Sequence, residues 1–261
     1  MSARKPPQAA DVARRIIALA AITHFAFEVP RRDQFAVWKA KAGADELRKL
    51  RATARQDREK RLDALGRWQR HLTAEEARVF ARTAETLTER EQIVASWRVE
   101  SLYVLAWALG LRDSLPPYDR QIEPRKGLAG LPPDDRELFE RKAKLRPRRE
   151  IAKARDVAEL WHWRSRTHQL AQAGGSPFDG KRIDGIASYD DIVKQVAAGV
   201  AEEGLLVPIK GDFPAFGKPY RALTEAQWHS ASSIASERHF ALNWLSGLAP
   251  RNRWDDTPTD T

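Results

Sequence analysis

Apolar residues recur at three- and four-residue intervals through most of the chain, with few alternating stretches, so the pattern predicts a mainly α, multi-helix domain spanning 1–261. A first helix runs up to about Glu28, with Asp11 placed to cap it and Pro30 to stop it. A long charged helix is expected from Asp33 to Arg70, with Gly43 as a point where it could break. Thr73 with Glu76, and Thr88 with Glu91, have capping-box spacing, and the second pair opens the helix that contains SWRVESLYVLAWALGL, Ser96–Leu111. Leu115–Pro133 reads as a Pro- and Gly-rich loop, followed by a short helix over 134–144 and another helix ending at Gly174. Ser188 caps the next helix, and Thr224 with Gln227 opens the last long one. Between them, Leu205–Ile209 and Lys218–Leu223 flank the turn-rich KGDFPAFG as one small β-hairpin. The tail 251–261 reads as acidic and irregular.

The helix of Ser96–Leu111 is apolar almost all the way round, yet carries Arg98 and Glu100. At 100° per residue the two point to nearly opposite sides and cannot pair with each other. An unpaired buried charge costs several kcal/mol, so each needs a partner from another helix. The last helix places Glu237 at the centre of its apolar stripe and Arg238 beside it, and Arg164 lies close to the stripe of the helix ending at Gly174. Pairing Arg98 with Glu237, and Glu100 with Arg238 or Arg164, satisfies the set. Two readings remain open: an ionic network that fixes helix register, or a site in which Glu100 or Glu237 is a general acid or base while Arg98, Arg164 or Arg238 binds an anionic substrate.

Charge adds a third possibility. Residues 31–70 hold thirteen Lys or Arg against six Asp or Glu, seven of the chain's net +9, with Phe35, Trp38 and Trp68 among them. Interspersed acids suit a solvated helix laced with i, i+4 pairs, whereas the surplus of cations suits a nucleic-acid contact. Composition otherwise excludes rather than selects. With 42% hydrophobic residues and nine Trp the chain folds, and without Cys it has no disulfide, thiolate metal site or Cys nucleophile, which fits a cytoplasmic setting. The run after Arg14 and Arg15 is interrupted by His24 and is read neither as a secretory signal nor as a membrane span.

Familiar motifs are incomplete. GSPFDGKR, Gly175–Arg182, has P-loop spacing, but Arg182 stands where Ser or Thr must reach magnesium and Pro177 removes a backbone donor. Glu159 and His162 form a single Glu-x-x-His, read as an exposed helix pairing. His239 groups with Ser232, Ser236 and Asn243 and is read as solvated. No G-x-S-x-G elbow is present. No metal and no cofactor are expected.

The pieces SWRVESLYVLAWALGL, LRPRREI, LWHWRSR, GDFPAFGKPYRALT, IASERHFALNWLSG and WDDTPTDT, in that order, resemble the bacterial family catalogued as domain of unknown function 4272, over about Ala9–Thr261. The resemblance implies no activity, substrate or catalytic residue. The reading overall is a cytoplasmic, non-catalytic binding protein, another protein being a candidate partner, with the enzyme and nucleic-acid readings as alternatives and no membrane association.

Overall fold

A computed structural model describes residues 5–180 and 186–259. Among these are ten α-helices and a single two-stranded hairpin. Helix α1 (Ala9–Glu28) begins one turn before the expected cap: Gln8 is the cap, and Asp11 instead receives the Gln8 backbone N–H from the third helical position. The Thr73–Glu76, Thr88–Glu91, Ser188–Asp191 and Thr224–Gln227 pairs open α4 (Ala74–Phe80), α5 (Glu89–Ala108), α9 (Tyr189–Glu202) and α10 (Glu225–Leu245). The expected loop between 115 and 133 contains a short helix, α6 (Pro124–Leu128), and α7 (Arg136–Lys142) and α8 (Arg148–Gln172) follow.

The core is a stack of long helices, with α10 lying between α8 and α5, and α5 packing in turn on α1. Leu102, Leu105, Ile234, Leu242, Trp244 and Trp161 are among the side chains buried along these seams. Each large apolar side chain withdrawn from water contributes about 1.5–3 kcal/mol. A second cluster lies under the C-terminal half of α1, where Phe25 meets Phe80 edge to face beside Leu65, Trp68 and Val79. Here Arg61 lies over the Phe25 ring and donates to the carbonyls of Phe80 and Arg82.

Two further expectations about elements change. The hairpin pairs β1 (Pro214–Ala215) with β2 (Lys218–Pro219). It is tighter than expected because Leu205–Ile209 forms no strand and reaches the turn only through a bridge from Ile209 to Asp212. The basic segment does break at Gly43, into α2 (Arg32–Lys41) and α3 (Ala44–Leu65), and Gly66–His71 continues it as a 3₁₀ turn. The tail is ordered into two 3₁₀ turns, Pro250–Asn252 and Trp254–Asp256, because Trp254 is buried against Phe240 and Trp244 and Asn243 donates to the Pro258 carbonyl. No helix among the described residues is long and apolar enough to cross a membrane.

Helices α2 and α3 stand apart from this stack. None of the ten residues of α2 is buried, and in α3 only Leu65 is. Lys39 and the Nε–Nη2 edge of Arg51 converge on one carboxylate, Glu85 in the turn before α5, which pins this arm to the body.

Candidate functional site

Glu100 and Arg238 meet where α5 crosses α10, and both are closed off from solvent. One Glu100 oxygen accepts from Arg238 Nε at 2.9 Å, and the other from the Ile122 backbone N–H at 2.6 Å. Arg238 then spends its remaining donors on the carbonyls of Pro116, Pro117 and Arg120, with its guanidinium over the Tyr118 ring. Burial pushes the Glu100 carboxyl up, opposed by Arg238 and by the Ile122 N–H. The pair thus binds two helices to the loop 116–122, leaving no polar atom of Glu100 unused.

Arg98 pairs with Glu237 as expected, one nitrogen reaching both carboxylate oxygens at 3.1 and 3.2 Å, while Ser101 Oγ donates to the same carboxylate at 2.7 Å. Burial disfavours the Arg98 charge, but Glu237, with Glu76 further off, more than offsets this and raises its pKa. About a fifth of each side chain stays exposed. Arg98 also forms part of the wall of a 440 Å³ cleft with Glu76, Arg78, Val94 and Asp255. Glu76 is engaged elsewhere, in a buried ion pair with Arg15. Neither Glu100 nor Glu237 lines this cleft or the groove described below.

Arg164 does not join the set. It is buried against Asp212, with Nε and Nη2 at 2.7 and 2.9 Å from the two oxygens, and Asp212 also accepts the backbone N–H groups of Phe213 and Arg221. Burial acts to raise the Asp212 carboxyl, but Arg164 and these amides outweigh it and hold the pKa below the ordinary value. Asp212 lies in the turn before β1, where helical periodicity carries no information, so no stripe marks it as a partner.

Two histidines are likewise corrected. His239 is fully buried, not solvated, because the polar face of α10 is covered by α8. Its Nδ1 lies 3.0 Å from Nδ1 of His162, which is also buried, while Glu159 pairs with Arg155. Burial first, then the neighbouring His162 and Arg155, lower the His239 pKa to about 4. The Lys181 and Arg182 positions of the P-loop-like stretch lie outside the described residues.

A further accessible feature lies at the arm. Phe27, Pro30, Trp38 and Ile93 line a 710 Å³ groove between the end of α1, α2 and the first turns of α5, with Arg31 and Arg32 among its polar walls. Trp38 and Ile93 are each 49% exposed and Phe27 40%. The first turns of α5 are therefore not enclosed as its apolar pattern suggests: Ile93 and Val94 face solvent. The sequence puts Trp38 in the charged segment, and the patch is invisible there because its members come from three helices.

A family model described as a domain of unknown function (DUF4272) matches residues 2–176. No curated protein and no solved structure matches the chain. The matched span includes the groove and the Arg98–Glu100 face, whereas Glu237, Arg238 and Asp212 lie beyond it.

Proposed function

The chain belongs to the DUF4272 family, and on that footing we propose that it is a non-catalytic protein-interaction module, one mainly helical domain whose binding surface is the groove between α1, α2 and α5. The observation that carries this reading is the exposure of Trp38, Phe27 and Ile93 around one groove, on an arm whose α2 buries nothing. A helix that only needs solvation gains nothing from an exposed Trp. Contiguous apolar surface rimmed by polar groups is the mark of an interaction site, and Trp is the residue type most enriched where binding energy concentrates. The ion pairs at Glu100 and Asp212 fit a structural part in this reading, as devices that hold loops to the helix stack. A Cys-free chain suits a cytoplasmic setting for it.

Acid or base chemistry at Glu100 or Glu237, with Arg98, Arg164 or Arg238 on an anionic substrate, is the second reading. The raised Glu100 carboxyl favours it. Against it stand the donors that already occupy both carboxylates and the diversion of Arg164 to Asp212. Photo-crosslinking separates the readings. With benzoylphenylalanine replacing Trp38 in the intact protein within its native host, a discrete protein adduct is expected that the same probe at exposed Val207 does not give. Identical patterns at the two positions would remove the support for the groove.

A further inference from the structure

We propose that the cavity between the N-terminal segment, the start of α8 and the end of α10 binds a small amphipathic anion, an apolar body ending in a carboxylate or phosphate. It shares no lining residue with the groove at Trp38 and does not rest on the reading of that groove.

The cavity encloses about 620 Å³, within the size range of small-molecule sites. Pro6, Pro7, Leu145, Ile151 and Leu245 form its apolar wall, and of these Pro7, Ile151 and Leu245 are buried. Its ionisable wall has one sign. Lys5, Arg146 and Arg148 line the cavity, and among the described residues no Asp or Glu does. Lys5 and Arg148 are exposed, and neither has a carboxylate within salt-bridge distance among the described residues. Arg146 is the fixed member: Nε donates to the Trp107 carbonyl at 2.7 Å and Nη2 to that of Arg112 at 2.8 Å, while Glu150, outside the lining, is 3.5 Å from Nη1. Carbonyls at the end of α10 would oppose an anion, but those of Leu242, Asn243 and Trp244 already accept the amides of Ser246, Leu248 and Gly247.

The walls are set before any ligand arrives. Two consecutive prolines stiffen the N-terminal segment. Gly247, at φ +76°, lets that segment lie against the end of α10: a Cβ there would meet Pro6 N at 2.8 Å and Pro6 Cα at 2.9 Å. On the other side the Arg146 amide donates to the Ala108 carbonyl at 2.8 Å, fixing the approach to α8. Such preorganisation lowers the cost of binding.

The lining selects the ligand by elimination. A cation meets three like charges, a wholly polar anion leaves the apolar wall against water, and a neutral apolar molecule gives Lys5 and Arg148 no acceptor. An apolar body with one anionic head satisfies both parts of the wall.

The test is calorimetric titration of the full chain at pH 7 with octanoate, octyl phosphate, octylamine and acetate. At least one octyl anion is expected to bind, the tighter of the two identifying the head group. Octylamine and acetate are each expected to bind at least about tenfold more weakly, one for its charge and the other for its missing apolar body. Arg148→Glu should lose at least about tenfold in affinity for the octyl anion. Arg149→Glu makes the same change in net charge at an exposed neighbour outside the lining and should lose less than about twofold. Both variants place an acid in the first turn of α8, which suits the helix and keeps the fold. No binding of either octyl anion at millimolar concentration, octylamine bound as tightly as the anions, or equal losses in the two variants would overturn the site. Acetate bound as tightly as octanoate would overturn the amphipathic ligand.

Discussion

Replacing Glu100 with Ala removes the acceptor of two donors at once. The Arg238 Nε and the Ile122 backbone N–H both point at its carboxylate from within the core. Breaking a fully buried ion pair by deleting one partner costs about 3–5 kcal/mol, because the other charge stays buried and uncompensated. A stranded amide adds about 1–3 kcal/mol where water cannot reach it. Arg238 keeps its three carbonyl acceptors at Pro116, Pro117 and Arg120, which softens the loss. The expected cost of Glu100→Ala is therefore about 4 kcal/mol, set by the buried pair. For a chain of this size it corresponds to a fall in Tm of roughly 8–16 °C. Glu100→Gln keeps an acceptor for Ile122 and is expected to cost about half as much. Arg238→Met on top of Glu100→Met should not restore stability, since it strips the donor from three loop carbonyls. Thermal and urea unfolding measure the cost, and hydrogen exchange at Ile122 reports release of the loop. A Glu100→Ala protein melting within about 2 °C of wild type, with Ile122 still protected, would show that the pair does not hold the loop.

Four further outcomes follow from the same geometry. Asp212→Ala should cost about 3–5 kcal/mol by urea unfolding, because Arg164 is left buried without its carboxylate; Glu237→Gln, at the partly exposed pair with Arg98, should cost only about 1 kcal/mol. His239 binds its proton with a pKa of about 4 in the folded chain against about 6.5 unfolded. Between those values the unfolded state holds more protons, so stability is complete above about pH 6.5 and declines as pH falls toward 4. His239→Gln should flatten that part of the Tm against pH profile, and an unchanged slope would contradict the buried neutral pair. Trp38→Ala should leave the unfolding free energy within about 0.5 kcal/mol of wild type, since the side chain is half exposed on a helix that buries nothing.

What the sequence makes legible is what depends on local spacing or on one helix meeting another. Capping boxes at Thr73, Thr88 and Thr224 are read directly because the bonds join residues three apart. Arg98 with Glu237 and Glu100 with Arg238 are also readable, because a charge within an apolar stripe demands a partner on a facing stripe. Arg164 satisfies the same rule, but its partner Asp212 comes from a turn, which has no stripe to search. His239 is misplaced for the opposite reason: a wheel assigns one inner face to a helix, while α10 is covered on two sides. Periodicity also says nothing about whether a helix is packed. The basic segment reads as helical and is helical, yet only the fold shows that all but its C-terminal end stands off the core, leaving Trp38 facing outward beside Phe27 and Ile93.

The central claim, that this groove is an interaction surface, is tested most directly by calorimetric titration of the Trp38-crosslinked partner, produced separately, against wild type, Trp38→Ala and Ile93→Ala. The prediction is a loss of about tenfold or more in affinity for each variant, with Tm unchanged within about 2 °C. Affinity equal to wild type in both variants would contradict it.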